Sequence, residues 1–214
     1  MDYQRLYEYR FRGIDQAARA AVWVPISRFL FEQLGRPDRV LDPAAGRCEF
    51  LNAVSSKERW GVDKTAYEEA KSRPDTKLIV ADVMEADLPG SYFDAVFVSN
   101  FLEHLPGPMA VSAFLEKMAN CTRNGGRIAV MGPNIRYCAD EYWDCADHEV
   151  GLTHVAVEEH LYAAGFEPTR TYPRFLPYSF RGALPPSPRL TALYLRLRPA
   201  WRLLGKQFLV LGER

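Results

Sequence analysis

Three aspartates, Asp42, Asp63 and Asp82, each close a short apolar run, and Asn100 and Asn134 close two more. Asp42 is followed by Pro43-Ala44-Ala45-Gly46, a turn of small side chains through which a ligand can reach the backbone. A carboxylate there repels phosphate and suits a cationic amino-acid group. Asp63 lies 21 positions after Asp42, a distance at which an acid can accept hydrogen bonds from both ribose hydroxyls. Asp82 adds a further carboxylate acceptor with the apolar Val83 beside it. A second set suits proton transfer. The stretch Asn134–His154 is long, polar and aromatic, and it offers Asp147 and His148 as an oriented base, with Asp144 as another partner and His154 as another ring. Glu103 and His104 follow Asn100 and Phe101 and are candidates for contact with either ligand.

The elements needed to position these residues are legible. Val40-Leu41, Arg59–Lys64, Leu78–Val80, Ala95–Val98 and Ile128–Met131 read as buried strands. Helical signals alternate with them, including Val111–Ala119. This predicts a parallel, doubly wound α/β sheet, in which ligands bind outside the carboxyl ends of the strands. Asp42, Asp63, Asp82, Asn100 and Asn134 all fall on that edge. Val155–Phe166 reads as a helix stopped at Gly165, followed by a sixth strand and a last one in Lys206–Arg214. Residues 2–34 predict one or two helices, started or kinked by Pro25, acting as packing elements or as a lid with Tyr7, Arg10 and Trp23 facing the ligand. Between about 174 and 205 lies a segment with Arg174, Arg181, Arg189, Arg196, Arg198 and Arg202, no acid, and apolar residues at helical spacing. It reads as a packed helix with a basic face, an anion-recognition element or a contact for an anionic membrane surface.

The run Arg39–Leu51, RVLDPAAGRCEFL, resembles the first motif of the class I S-adenosylmethionine (SAM) methyltransferases, roughly VLD-x-G-x-G-x-G. Asp42 and Gly46 match. Ala44 and Cys48 stand where the first and third Gly usually are, which adds a methyl and a thiol close to the expected methionine moiety. Asp63, Asp82-Val83, the FD-apolar-EHL run around Phe93–Leu105 and the Gly-Gly turn before the fifth strand follow in the family's order. The resemblance implies a Rossmann-like, seven-stranded sheet with an antiparallel last strand, a helical N-terminal lid and a long insertion between the last two strands. It implies SAM as cofactor and S-adenosyl-L-homocysteine (SAH) as product. The cofactor residues it implies, with the lid residues, are Asp42, Ala44, Gly46, Asp63, Lys64, Asp82, Val83, Asn100, Phe101, Arg10 and Trp23, and the catalytic candidates are His148, Asp147 and His104. YWD-x-x-DH, AGF, RFLPY and LGKQF also resemble bacterial methyltransferases of surface-glycan and natural-product gene clusters. That implies O-methylation of a small-molecule or lipid-linked sugar acceptor, an anionic one included. The expected organisation is one domain over 1–214: lid 1–36, SAM-binding core 37–134, and a substrate-facing remainder 135–214.

Composition narrows the alternatives. Lys plus Arg and Asp plus Glu each total 27 among 214 residues, so no global charge draws the chain to nucleic acid. No secretory leader or membrane-length apolar run stands out, so a cytoplasmic protein, with contact at the inner face of the membrane through 174–205, is expected. Cys138, Cys145, His148 and His154 lack paired C-x₂₋₄-C spacing, and no metal site is expected. A nicotinamide-dependent oxidoreductase lacks its G-x-G-x-x-G here. A non-catalytic partner subunit is the other alternative, suggested by Ala44 and Cys48.

Overall fold

The computed structural model describes residues 3–65, 73–178 and 186–214. Arg181, one of the candidate anion contacts, lies outside the described residues, as does the Tyr3 side chain. Seven strands form one sheet: β1 (Arg39–Asp42), β2 (Glu58–Asp63), β3 (Thr76–Val80), β4 (Phe93–Ser99), β5 (Thr122–Pro133), β6 (Glu167–Tyr172) and β7 (Gln207–Glu213). Their order is β3-β2-β1-β4-β5-β7-β6. The first five are parallel neighbours, and β7 runs antiparallel between β5 and β6. The order reverses at β1 and β4, and the crevice above that reversal is where such sheets hold ligands.

The inner strands are apolar because both faces are covered. Ala95 to Val98 and Ile128 to Val130 are fully buried, with alternate side chains on opposite faces. One face packs against α2 (Gln16–Gln33), α3 (Glu49–Ala53), α7 (Pro188–Arg196) and α8 (Arg198–Leu204). The other packs against α4 (Pro108–Cys121) and α6 (His154–Ala163). Phe97 illustrates the first layer: its ring lies 4.3 Å from that of Phe50 and edge-on to Trp23. Burying one such ring contributes about 1.5–3 kcal/mol.

Three expectations about elements change. Pro25 neither starts nor ends a helix; α2 continues through it. The helix does so because Val22, Trp23, Ile26 and Leu30 bury one stripe against the sheet, and this outweighs the hydrogen bond that proline cannot donate. For the same reason α2 belongs to the core, while α1 (Tyr3–Arg10) and the turn after it line the cleft described below. The polar stretch after β5 begins with a helix, α5 (Ile135–Tyr142), capped by Asn134. The segment between the last two strands is held by Trp201, whose ring sits 5.0 Å from Phe175 and 5.3 Å from Tyr172 and whose N–H donates to the Tyr194 carbonyl at 2.9 Å.

Candidate active site

A cleft of about 1360 Å³ lies over the carboxyl ends of β1, β2, β4 and β5, closed on one side by α1 and on another by the turn after α5. The ends of β1, β2, β3 and β4 each deliver a polar group to it. Asp42, at the end of β1, is buried and accepts a hydrogen bond from the Ala44 amide at 3.2 Å. Burial, with Asp63 and Glu49 nearby, pushes its carboxyl up to about 8, so an incoming cation would restore its charge. Asp63, at the end of β2, fixes the small-residue turn: Oδ2 accepts from the Gly46 amide at 2.8 Å and Oδ1 from the Thr65 amide at 2.9 Å. Gly46 has φ +51° and open space where a side chain would stand. Asp82 accepts from the Met84 amide at 2.9 Å and pairs with Lys64 at 2.9 Å, which together hold its carboxyl below the usual range. Asn100 takes a left-handed turn (φ +48°) at the end of β4, and Phe101 packs on Phe114 at 4.9 Å while both 100 and 101 line the cleft.

Cys48 departs from expectation. It is the left-handed residue (φ +59°) that opens α3, and its side chain is buried in the core rather than lining the cleft. The thiol, pushed up to about 12 by that burial, is part of the packing. Ala44 alone of the two departures faces the ligand space. Trp23 lines the cleft with its indole N–H buried and without a partner. Arg10 also lines it, but its guanidinium forks onto Asp147, with Nη1 to Oδ2 at 3.2 Å and Nη2 to Oδ1. It joins α1 to the acceptor loop and does not point to a cofactor carboxylate.

At the other end of the cleft the expected pairing is replaced. Asp147 orients His104, not His148. His104 Nδ1 lies 3.0 Å from the Asp147 carbonyl and 3.3 Å from its carboxylate, both acceptors, so Nδ1 carries a proton and donates it. Adjacent residues point apart along the chain, which is why Asp147 reaches back across 43 positions instead of to its neighbour. His148 packs edge-on against His104 (4.9 Å) and Tyr142 (4.8 Å). Burial, and then His104, pull it down to about 4, so its ring is neutral. Glu103 is buried beside both rings, its Oε1 3.9 Å from His104 Nε2. Sequence reasoning missed this arrangement; Glu103-His104 marked one half of it, and the other half returns only through the fold. His154 does not serve the cleft: it is bonded to Asn134, Nδ2 to Nδ1 at 2.9 Å, and Asn134 also binds the Pro173 carbonyl. Both are structural. None of the described arginines of 174–205 lines the cleft; Arg174 is spent on the carbonyls of Gly205 and Leu203.

The sequence segment that builds the cofactor end, residues 41–130, matches the family model described as a methyltransferase domain. The match spans 90 of the 214 residues. The acids at the ends of β1, β2 and β3 suit SAM as a ligand of this cleft. No curated protein matches the chain. Solved structures share its fold. A SAM-dependent methyltransferase from Archaeoglobus fulgidus is 20% identical, with TM-score 0.69 and all of both chains covered. A 1,6-didemethyltoxoflavin-N1-methyltransferase from Burkholderia thailandensis is 20% identical, with TM-score 0.62, covering 100% of this chain and 89% of that one. A geranyl diphosphate C-methyltransferase from Streptomyces coelicolor A3(2) is 12% identical, with TM-score 0.63, covering 88% and 76%.

Proposed function

We propose that the chain transfers the methyl group of SAM to a hydroxyl of a sugar, a glycan precursor or a related small natural product. The observation that carries this reading is the Arg10–Asp147–His104 chain. It holds the His104 ring through Nδ1 and leaves Nε2 at the acceptor end, where a hydroxyl must lose a proton as it attacks in line. In this reading Asp42 faces the ammonium of the methionine part, Asp63 the ribose hydroxyls and Asp82 the adenine amine. Val83 and Phe101 cover the ring, and Ala44 and Gly46 leave room for the backbone to approach. Lys64 holds Asp82, and Trp23 covers the cleft from α2. Asp147 and Arg10 are positioning residues.

The acceptor end also carries Glu141, Asp144, Glu149 and Tyr178. Carboxylates accept hydrogen bonds from sugar hydroxyls and repel phosphate, so a neutral polyhydroxyl acceptor fits better than the anionic one expected from the arginines. With Cys48 turned into the core, the partner-subunit reading keeps only Ala44 as its motive. The test is thermal unfolding with SAH at about 100 times its dissociation constant, where a specific ligand adds roughly 2.7 kcal/mol. We expect a clear upward shift, followed by methyl transfer in a screen of neutral sugars. No shift would sink the reading.

The outer surface bears on where the acceptor is met. Leu190, Leu193, Leu197, Leu203 and Leu204 are half-exposed or more, and Arg189, Arg196, Arg198 and Arg202 stand among them. No acid occurs from 168 to 212, and Leu204 also lines the cleft mouth. Among the described residues no helix is long and apolar enough to cross a membrane. This surface supports contact with an anionic bilayer that presents a lipid-linked acceptor. Sedimentation with phosphatidylglycerol-containing vesicles should bring the protein down. Equal sedimentation with purely zwitterionic vesicles would contradict the electrostatic part.

A further inference from the structure

We infer that Glu103, His104 and His148 bind a divalent metal ion at the acceptor end of the cleft. The inference deepens the methyl-transfer reading, on which its catalytic consequence rests. One ligand atom from each residue lies within 4.8 Å of the other two, and the widest distance must close by roughly 1 Å to match two ligands at about 2.1 Å in tetrahedral array. His104 Nε2 and Glu103 Oε1 stand 3.9 Å apart, already close to such a pair. All three residues line the cleft, so positions remain open for a water or an acceptor oxygen.

The second observation concerns what lies behind the three groups. A ligating imidazole donates its other N–H to a carboxylate or carbonyl, which fixes its tautomer and its angle. His104 does this with Asp147, whose carboxylate is held by Arg10. His148 keeps its Nδ1 buried without a hydrogen-bond partner. His104 is thus held through Nδ1, and His148 offers a buried nitrogen that nothing uses. The two turns are also fastened together: the amides of Glu149 and Val150 both donate to the Glu103 carbonyl, at 2.8 and 3.3 Å. The site therefore does not depend on a loose loop. Glu103 is 2% exposed, and a carboxylate buried this deeply calls for a cationic or hydrogen-bonding partner. Two imidazoles and one carboxylate suit zinc, manganese, iron(II) or cobalt better than magnesium. The cysteines that spacing arguments turn to first play no part.

In the methyl-transfer reading, an ion here would bind the acceptor hydroxyl and lower its pKa. The proton would leave to solvent or to Glu149, and the alkoxide oxygen would take the methyl as the sulfonium carbon–sulfur bond breaks to give SAH.

The test uses the whole chain, stripped with a chelator and titrated with cobalt(II). Calorimetry and visible absorption report binding, and a parallel SAH thermal shift reports an intact fold. We expect one cobalt per chain. Binding should be lost in His148→Ala and weakened about tenfold to a hundredfold in Asp147→Asn, which touches the ion only through His104. Glu103→Gln serves as a second ligand variant if its SAH shift survives. No stoichiometric uptake by the wild-type chain, or uptake unchanged in His148→Ala, would overturn the site. A chain that binds SAH but not cobalt loses the metal and keeps methyl transfer. A chain that binds cobalt but not SAH keeps the metal and loses the reading of the cofactor end.

Discussion

Asp42→Asn should make the protein without its cofactor more stable and, at the same time, make it bind SAH more weakly. The two effects have one cause. Asp42 is buried where β1 ends, with one backbone amide as partner and Asp63 and Glu49 as like-charged neighbours. Its carboxyl is raised from 3.8 to about 8. Between those values the folded state holds a proton that the unfolded chain has released, so stability falls as pH rises through this window and levels off above it. Four units at about 1.4 kcal/mol each set an upper bound of roughly 6 kcal/mol on the loss. Asparagine keeps the shape and the acceptor oxygen and has no proton to lose. Denaturant unfolding at about pH 3, below both values, should therefore give nearly equal stabilities, and at pH 9 the variant should be the more stable by about 2 kcal/mol or more. SAH binding should go the other way. The ammonium of the ligand gains a charged partner only in the wild type, and a hydrogen bond to a charged group is worth about 1.5–3 kcal/mol, or roughly tenfold to a hundredfold in affinity. A variant that was simply damaged would lose both properties, so a parallel fall in stability and binding would refute the account.

Much of this site was legible because its cofactor end is local. A strand, an acid at its end and a small-residue turn lie within a few positions, and β1 to β3 each repeat the strand and its acid. Burial on both faces forces the strands to be apolar, and that alone reveals where they stop. The long segment before β7 was legible for a similar reason, since proline and arginine among leucines cannot fill a central strand, whereas the antiparallel run of β7 came only from the family resemblance. The acceptor end was not legible to the same degree. Asp147 and His148 are neighbours in sequence, and a reading by proximity joins them, whereas β5 and α5 carry the turn back so that Asp147 meets His104. Cys48 misled in another way. Its place in the motif suggests contact with the ligand, but its left-handed backbone turns the thiol into the core. Pattern fixes position along the chain. Backbone dihedrals and returns of the chain decide which way a side chain faces.

His104→Ala should lower the rate of methyl transfer by about 10²- to 10⁴-fold, the span for loss of a positioned proton acceptor, and leave SAH affinity unchanged. The separation follows from placement. The acids that suit the cofactor stand at the ends of β1, β2 and β3, whereas His104 follows β4 and is tied to the turn after α5. Truncating its ring leaves the Arg10–Asp147 pair in place, so the lid stays attached. The expectation holds whether Nε2 takes the acceptor proton or holds an ion that would lower the pKa of the acceptor hydroxyl. Asp147→Asn should give a smaller fall with the same signature, because asparagine can still accept from Nδ1 but offers no charge to stabilise the ring as it becomes positive. It also leaves Arg10 without its ion pair, and the lid should loosen, which limited proteolysis within 1–15 would report. Single-turnover rates with saturating SAM, measured beside SAH binding, separate these effects. A His104→Ala enzyme that turns over within about tenfold of the wild type would show that closeness of the acceptor alone suffices. The Arg10–Asp147–His104 chain would then be a latch for the lid and not part of the chemistry.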